Sequence, residues 1–563
     1  MKHKHAGRIT SVQNIQSDHL LEASPIYLFL HKIFPMGLWL QLFNKISRTV
    51  NILLLLTLFT LLQQTAGAQS DSLEIGVRGV AVYSSDHLVP LWLHSNQYGQ
   101  IDAFGNGQLL GHIHASYEHR WNEKLSLTAG TGFWTDNELD RVTPGQLFAA
   151  VSFQSFTLIA GKKNLDYLPG QEADPAFFNF RNIRPMPAIS FGFFDYTPVP
   201  FTREYLQFKA ALLQGRLNDE RESPGVRQPY YHFKSLYLKT GNLPVNIFAG
   251  MNHSVLFGGT LSDGTEIPVD WISTYLINSS ETLKEFNHGE GTNAPGEHVG
   301  LSEFGIHYET DRINLFISKQ DPMTDYSGLF RSKDKILNFR IQIKKTNWLE
   351  EFSYQYAYTK HQTGPGLHLA PFREVEDYSL FLKENFGLDA DVNTWEEFYP
   401  YLKEYVNRGY PEYGRDNYFN HGIYRLGHFY DEHFYGYPLM HSKEQIKYFK
   451  DIDDFNYSTI GNNRLQAHHF AMKGSITKGL TYNAKVTFSE NFGTYNGFYT
   501  KWLNEREGYY FREVKKQNYY LLELSQQLPR NFTAQAAFGF DSGSLYQSWG
   551  IRCGISWVIF PLN

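Results

Sequence analysis

A single cysteine, Cys553, stands in a chain of 563 residues, so no internal disulfide can form. That is compatible with an oxidising compartment in a protein that does not rely on disulfides. Charge is sparse, at 19% Asp, Glu, Lys and Arg, and the net charge of -6 gives no reason to propose a nucleic-acid partner. After residue 68 no stretch approaches 18 consecutive apolar residues, which excludes helical membrane spans there. No fixed-period repeat is present, which argues against a propeller. Neither G-x-S-x-G nor H-E-x-x-H occurs, and nothing fixes the spacing of the many histidines and serines. The chain is therefore expected to be no enzyme and to need no cofactor.

Aromatic residues are abundant, with 44 Phe, 37 Tyr and 10 Trp, yet mean hydropathy is only -0.40. A membrane β-barrel reconciles the two. Each strand needs apolar side chains on one wall and polar ones on the other, and aromatics gather at the two interfaces. Period-two alternation recurs over 8–11 residues. Leu337, Phe339, Ile341 and Ile343 alternate with Asn338, Arg340, Gln342 and Lys344. Near the C-terminus, Trp549, Ile551, Cys553, Ile555, Trp557 and Ile559 alternate with Gly550, Arg552, Gly554 and Ser556. Successive strand side chains face opposite ways, so each list forms one wall. Arg340, Gln342 and Arg552 should line the lumen. Leu337, Ile555 and Cys553 should face lipid. Segments such as Trp121-Asn122-Glu123-Lys124 and Pro529-Arg530-Asn531 read as short turns on one side.

The N-terminal region reads as an export signal. Lys45 and Arg48 precede the apolar run Ile52–Leu62, and Ala66-Gly67-Ala68 follows as a small-residue cleavage site. Residues 1–68 are expected to be removed, with Met36 a candidate true start. The barrel is expected over 69–563. At roughly 27 residues per strand and connection, this length gives an all-β, transmembrane antiparallel β-barrel of about 18 strands with helical plug or loop inserts. One helical insert is expected near 378–410. Asp391 or Asn393 is the candidate cap, and Trp395, Phe398, Tyr401 and Tyr405 form one stripe.

Four polar-aromatic clusters interrupt the alternation: 90–101 (PLWLHSNQYGQI), 415–424 (RDNYFNHGIY), 462–469 (NNRLQAHH) and 491–495 (NFGTY). Planar amides and guanidinium groups suit sugar hydroxyls, aromatic faces suit a pyranose ring, and an arginine fork suits the carboxylate of an acidic sugar. A hydrogen-bonded lumen wall draws on the same residue types. His468 and His469 are adjacent on a strand and should point to opposite faces, which argues against a shared metal ion.

These clusters, in this order, resemble the Wzi family of capsule-assembly outer-membrane proteins, in the form found in Bacteroidetes-type bacteria. The resemblance also takes in Gly161-Lys162-Lys163, Phe257-Gly258-Gly259 and Tyr358-Thr359 with Gln362-Thr363-Gly364-Pro365. It implies an 18-stranded barrel closed by internal helices and a lectin-like hold on exported capsular polysaccharide. One departure is Asp431–Leu439, DEHFYGYPL, where a basic residue and a glycine are expected before Pro-Leu. The expected polysaccharide contacts are Trp92, His94, Asn96, Arg415, Asn417, Tyr418 and Arg464, at the outward mouth. No metal site is expected. The expected partners are a capsular or surface polysaccharide and outer-membrane lipids, with no nucleic acid, and the chain is expected to act as a monomer in a Gram-negative outer membrane. The rival reading is a diffusion porin for sugars or small solutes.

Overall fold

The computed structural model describes residues 70–135, 142–220, 225–277, 280, 283, 286, 295–324, 333–362, 370–373, 375–407, 417–446, 459–494 and 510–560. The export signal and Arg415 lie outside the described residues. Eighteen strands of 7 to 19 residues form one sheet in which every pairing is antiparallel and joins sequence neighbours. The first strand, Ser70–Ser84, pairs with both Gly107–Asn122 and the last strand, Ser548–Phe560, so the sheet closes on itself. Closure leaves no unpaired edge, the condition a sheet must meet to sit in hydrocarbon.

Connections alternate in length. One end of the barrel carries tight turns, among them 123–124, 154–155, 310–312, 478–479 and 529–531. The other end carries the long connections, including 85–106, 163–186, 258–296 and 359–464. Both segments read as turns from sequence fall at the short end.

The alternating walls take the expected faces. Leu337, Ile555, Phe538 and Trp549 stand outward and exposed. Inside, the Arg340 guanidinium donates to the Glu172 carbonyl at 2.9 Å, and Gln342 donates to Glu351 at 2.9 Å. Arg552 donates to the Leu93 carbonyl at 2.6 Å. Cys553 pairs with Ala81 and Ala536, is half-buried, and shares the parity of Ile555. Trp549 and Trp557 are eight residues apart, a rise of about 26 Å along the strand, which at a tilt of about 40° spans about 20 Å of an apolar band about 25 Å tall.

The lumen is packed rather than empty. Leu91, Trp92 and Leu93 join Phe177, Phe178 and Phe180, and also Tyr418, Phe419, Tyr435 and Tyr437, in one buried core against inward wall residues such as Phe233 and Leu256. Three connections thus fold into the barrel. The short helix Leu91–His94 shows how one is pinned. Asp541 of the wall accepts from the Leu91 amide at 2.7 Å at its N-terminal end, and Arg552 binds its C-terminal end. Each wall side chain thus satisfies a backbone group that the helix end leaves without an intrahelical partner. Two wall glycines let the helix approach. A Cβ on Gly539 would sit 2.7 Å from the Leu93 side chain, and one on Gly550 would sit 3.0 Å from it.

The helical insert is present as two helices, Tyr378–Phe386 and Trp395–Asn407. The expected cap is corrected. Thr394 accepts from the Glu397 amide, and Glu397 accepts in return from the Asn393 amide, so Thr394 and not Asp391 or Asn393 caps the second helix. The buried stripe is Phe398 with Leu402, whereas Tyr401 is exposed. With Phe372, Phe381, Leu382 and Val392 they form a small core of their own.

Candidate functional site

Three of the four polar-aromatic clusters converge. Asn463 donates to Asn417 Oδ1 at 2.6 Å and to the Tyr418 carbonyl at 2.8 Å, and Thr494 donates to the same Asn417 oxygen at 3.2 Å. Gln362 donates to the Asn463 carbonyl, and Thr359 reaches the same oxygen at 2.7 Å. Beneath them lies Asp334, which accepts from Tyr418 Oη at 2.7 Å and from the amides of His361 and Gln362 at 2.8 and 2.6 Å. Burial pushes this carboxyl up to about 6 in spite of those donors. Arg464, fully buried, donates to the Lys360 carbonyl at 2.9 Å and adds its positive field to Asp334.

This node ties the long 359–464 connection to the wall. Asn417, Tyr418 and Arg464 are spent on hydrogen bonds within the protein, and Tyr418 and Arg464 present no surface. Trp92 is buried too. Its Nε1 donates to Thr487 at 3.1 Å, its ring lies 4.9 Å from that of His469, and Lys485 Nζ sits 4.7 Å above it. Lys485 in turn holds Asp174 of the plug at 2.9 Å and keeps that carboxyl below its ordinary range, against the effect of burial. His469 faces inward while His468 meets Tyr354 and Tyr356 on the opposite wall, as strand parity requires. Asn96 accepts from Asn179 at 2.9 Å inside the plug.

His94 is the member of the expected set that lines a sizeable cavity. This cavity, about 600 Å³, lies at the long-connection end, between residues of 91–104, of 219–225 at Asp219, Glu220 and Gly225, and of 425–445 with Thr459. Phe104, Phe429 and Phe434 supply ring faces; Asp102, Asp219, Glu220, Glu432 and Glu444 supply carboxylates; Arg425 and Lys443 supply cations. Burial and the neighbouring His433 lower His94 to about 3, so it stands in the cavity as a neutral ring.

The cavity wall is knitted from three connections. Arg184 pairs with Asp431 at 2.6 Å and approaches Asp102 at 3.9 Å, and Asp102 lies 3.4 Å from His433. The departure segment forms part of this wall. Phe429–Tyr430 pairs with His433–Phe434, and Asp431 and Glu432 between them both have positive φ, at 53° and 68°. Two consecutive left-handed residues make the turn whose twist matches a tight hairpin. Sequence reasoning missed Asp102, Asp219, Arg425 and His433 as a group. Nothing local joins them, although the anomaly at 431–439 marked the right segment.

A smaller cavity of about 120 Å³ lies deeper in the lumen, between the 171–174 stretch and the wall residues Arg340, Glu351 and Lys473. On its lining, Lys473 meets Glu351 at 3.1 Å and Lys209 reaches in to Glu172, while Arg340 and Arg181 donate to the carbonyls of Glu172 and Gln171.

No family model and no curated protein sequence matches the chain. Solved structures with a similar barrel include Wzi of Escherichia coli, described as an outer-membrane, carbohydrate-binding β-barrel involved in group 1 capsule assembly. It has 11% identity and a TM-score of 0.46, over 85% of this chain and 83% of that one. OccAB4 of Acinetobacter baumannii has 9% identity and a TM-score of 0.42, over 88% of this chain and 99% of that one. OccK5 (OpdH) of Pseudomonas aeruginosa has 9% identity and a TM-score of 0.42, over 88% and 100%. At these values none of the three lends the chain a function. What stands on its own strand pairing is a closed, 18-stranded antiparallel barrel of the outer-membrane type.

Proposed function

We propose that this barrel is a non-enzymatic polysaccharide-binding protein of a Gram-negative outer membrane, serving capsule assembly or surface attachment. The observation that carries this reading is the pairing of a packed lumen with a ring-lined, polar cavity at the long-connection end. A diffusion porin requires a water-filled path; the buried core of Phe177, Phe178, Phe180, Tyr435 and Tyr437 within the barrel supports the binding reading instead. Sugars are held by stacking on ring faces and by several modest hydrogen bonds, and the cavity offers both kinds of partner.

Among the described residues, the carboxylates on the cavity wall outnumber the cations. That balance favours neutral or amino-bearing sugar units over uronate-rich polymers, which would meet like charge. It also shifts the role of arginine, since Arg464 is consumed in the wall.

Glycan-array binding by the purified barrel, beside capsule staining of a deletion strain, tests the reading. Retention of surface glycans and loss of cell-bound capsule are the expected results. A barrel that retains no glycan, in a strain whose capsule is intact without it, overturns the proposal.

A further inference from the structure

The connection between strands Val245–Phe257 and Glu297–Glu309 takes a different course from the plug segments. Strand parity places Tyr230, His232 and Lys234 on the outer wall, because Tyr231 and Phe233 between them pack on Tyr435 and Phe178 of the lumen core. By the same parity Leu236 and Leu238, further along the strand, face out and are exposed. His253 and His298 also face out, since Ser254 and Glu297 beside them meet His428 inside.

An outer wall normally carries apolar residues. Here it carries His232, Lys234, His253 and His298 on three adjacent strands, and the three histidines are almost fully buried. Part of what covers them is the 258–296 connection. Its helix Trp271–Leu276 is capped by Asp270 at one end and by left-handed Ile277 at the other. Tyr275 stacks on His232 with centroids 4.0 Å apart and donates to Gln214 at 2.7 Å. Lys234 Nζ donates to the Tyr275 carbonyl, where a cation suits the C-terminal end of a helix. Trp271 packs on Tyr230 and Phe257, each at 5.1 Å. His253 and His298 bond each other at 3.0 Å, and His298 also meets the Pro295 carbonyl.

The far side of this helix is bare. Ile272 is 73% exposed and Leu276 is 56% exposed, at i and i+4 on one face, with Trp271 41% exposed beside them. We infer that the Trp271–Leu276 helix is a membrane-docking element, laid on the outside of the barrel to present Trp271, Ile272 and Leu276 to outer-leaflet lipid. This rests on the barrel spanning a membrane and not on any ligand of the cavity. Two observations select lipid as the occupant. The helix lies at the long-connection end of the wall, where an interfacial tryptophan belongs. Leu236 and Leu238, further along the strand it rests on, present exposed apolar side chains on the same outer wall. The helix also covers polar wall groups that hydrocarbon would not tolerate.

The test uses the full-length barrel with Cys553→Ser, so that introduced cysteines are unique. Nitroxide labels are placed at Ile272→Cys and Leu276→Cys. Leu236→Cys serves as the wall control and Ser262→Cys as the aqueous control. Each variant is checked for heat-modifiable mobility and reconstituted in bilayers. Power saturation with oxygen and with a water-soluble nickel chelate reads the environment. The expected result is that labels at 272 and 276 favour oxygen over nickel, as at 236. Nickel accessibility matching that of the label at 262 overturns the inference. So does spin–spin broadening at 272 that vanishes on dilution with unlabelled protein, because the face would then cover a second copy.

Discussion

Two connections leave the same end of the barrel and go to opposite sides of its wall. Residues 163–186 turn inward: Phe178 and Phe180 pack against Phe233, Phe180 also against Tyr435, and Phe177 against Tyr418 and Phe419. In the 258–296 connection, the Trp271–Leu276 helix rests on Tyr230, His232 and Phe257. The stretch of wall at Tyr231–Lys234 between them has the reverse of the usual barrel pattern, with Tyr231 and Phe233 inside and His232 and Lys234 outside. A connection goes where its apolar face is complemented. Barrel polarity is therefore set locally by what covers each wall, and lipid is only one such cover.

The largest expected contrast is between the two rings of contacts. Phe178→Ala removes a fully buried ring from the lumen core and should cost about 3–5 kcal/mol of stability, read from the midpoint of denaturant unfolding. Ile272→Ala, on an exposed face in detergent, should fall within about 0.5 kcal/mol of wild type. Equal effects would erase the distinction between plug and outer cover.

Arg464→Ala comes next. The guanidinium is buried and binds the Lys360 carbonyl beside Asp334, so its removal should cost about 3 kcal/mol and lower the temperature at which heat-modifiable mobility is lost. Arg464→Ala that folds like wild type but loses capsule retention would return this residue to the binding site.

The same node predicts a pH dependence. The folded Asp334 carboxyl, at about 6, lies above its unfolded value of roughly 4. Between these values the folded state holds the extra proton, so this group lowers stability as pH rises through the window. Relative to Asp334→Asn, wild type should lose about 2–3 kcal/mol between pH 4 and pH 7. Parallel pH profiles for the two proteins would show that the carboxyl is not held in this way. A smaller loss is expected at the cavity. Phe104→Ala should weaken glycan binding by about 1 kcal/mol, roughly fivefold, with folding intact.

The strands were legible because a two-residue period survives wherever one wall meets lipid, as at Leu337–Ile343 and Trp549–Ile559. It misleads only where a second cover intervenes, as at His232 and His253. The insert was legible as a segment carrying one or two helices, but the cap was not, because Asp391, Asn393 and Thr394 are all competent and only the Glu397 contact selects among them. The site was partly legible. Trp92, Tyr418 and Arg464 stood out for the residue types a sugar site needs, and those same types satisfy a buried polar node. Asp102, Arg425 and His433 come together from connections more than 300 residues apart, and no local spacing records that.

Single-channel recording of the purified barrel in planar bilayers tests the central claim most directly. A lumen filled by residues of 85–106, 163–186, 417–446 and 459–463 should give no steady conductance. A stable, large open-channel current, present in wild type and unchanged by Phe178→Ala, would contradict a packed lumen and favour the porin.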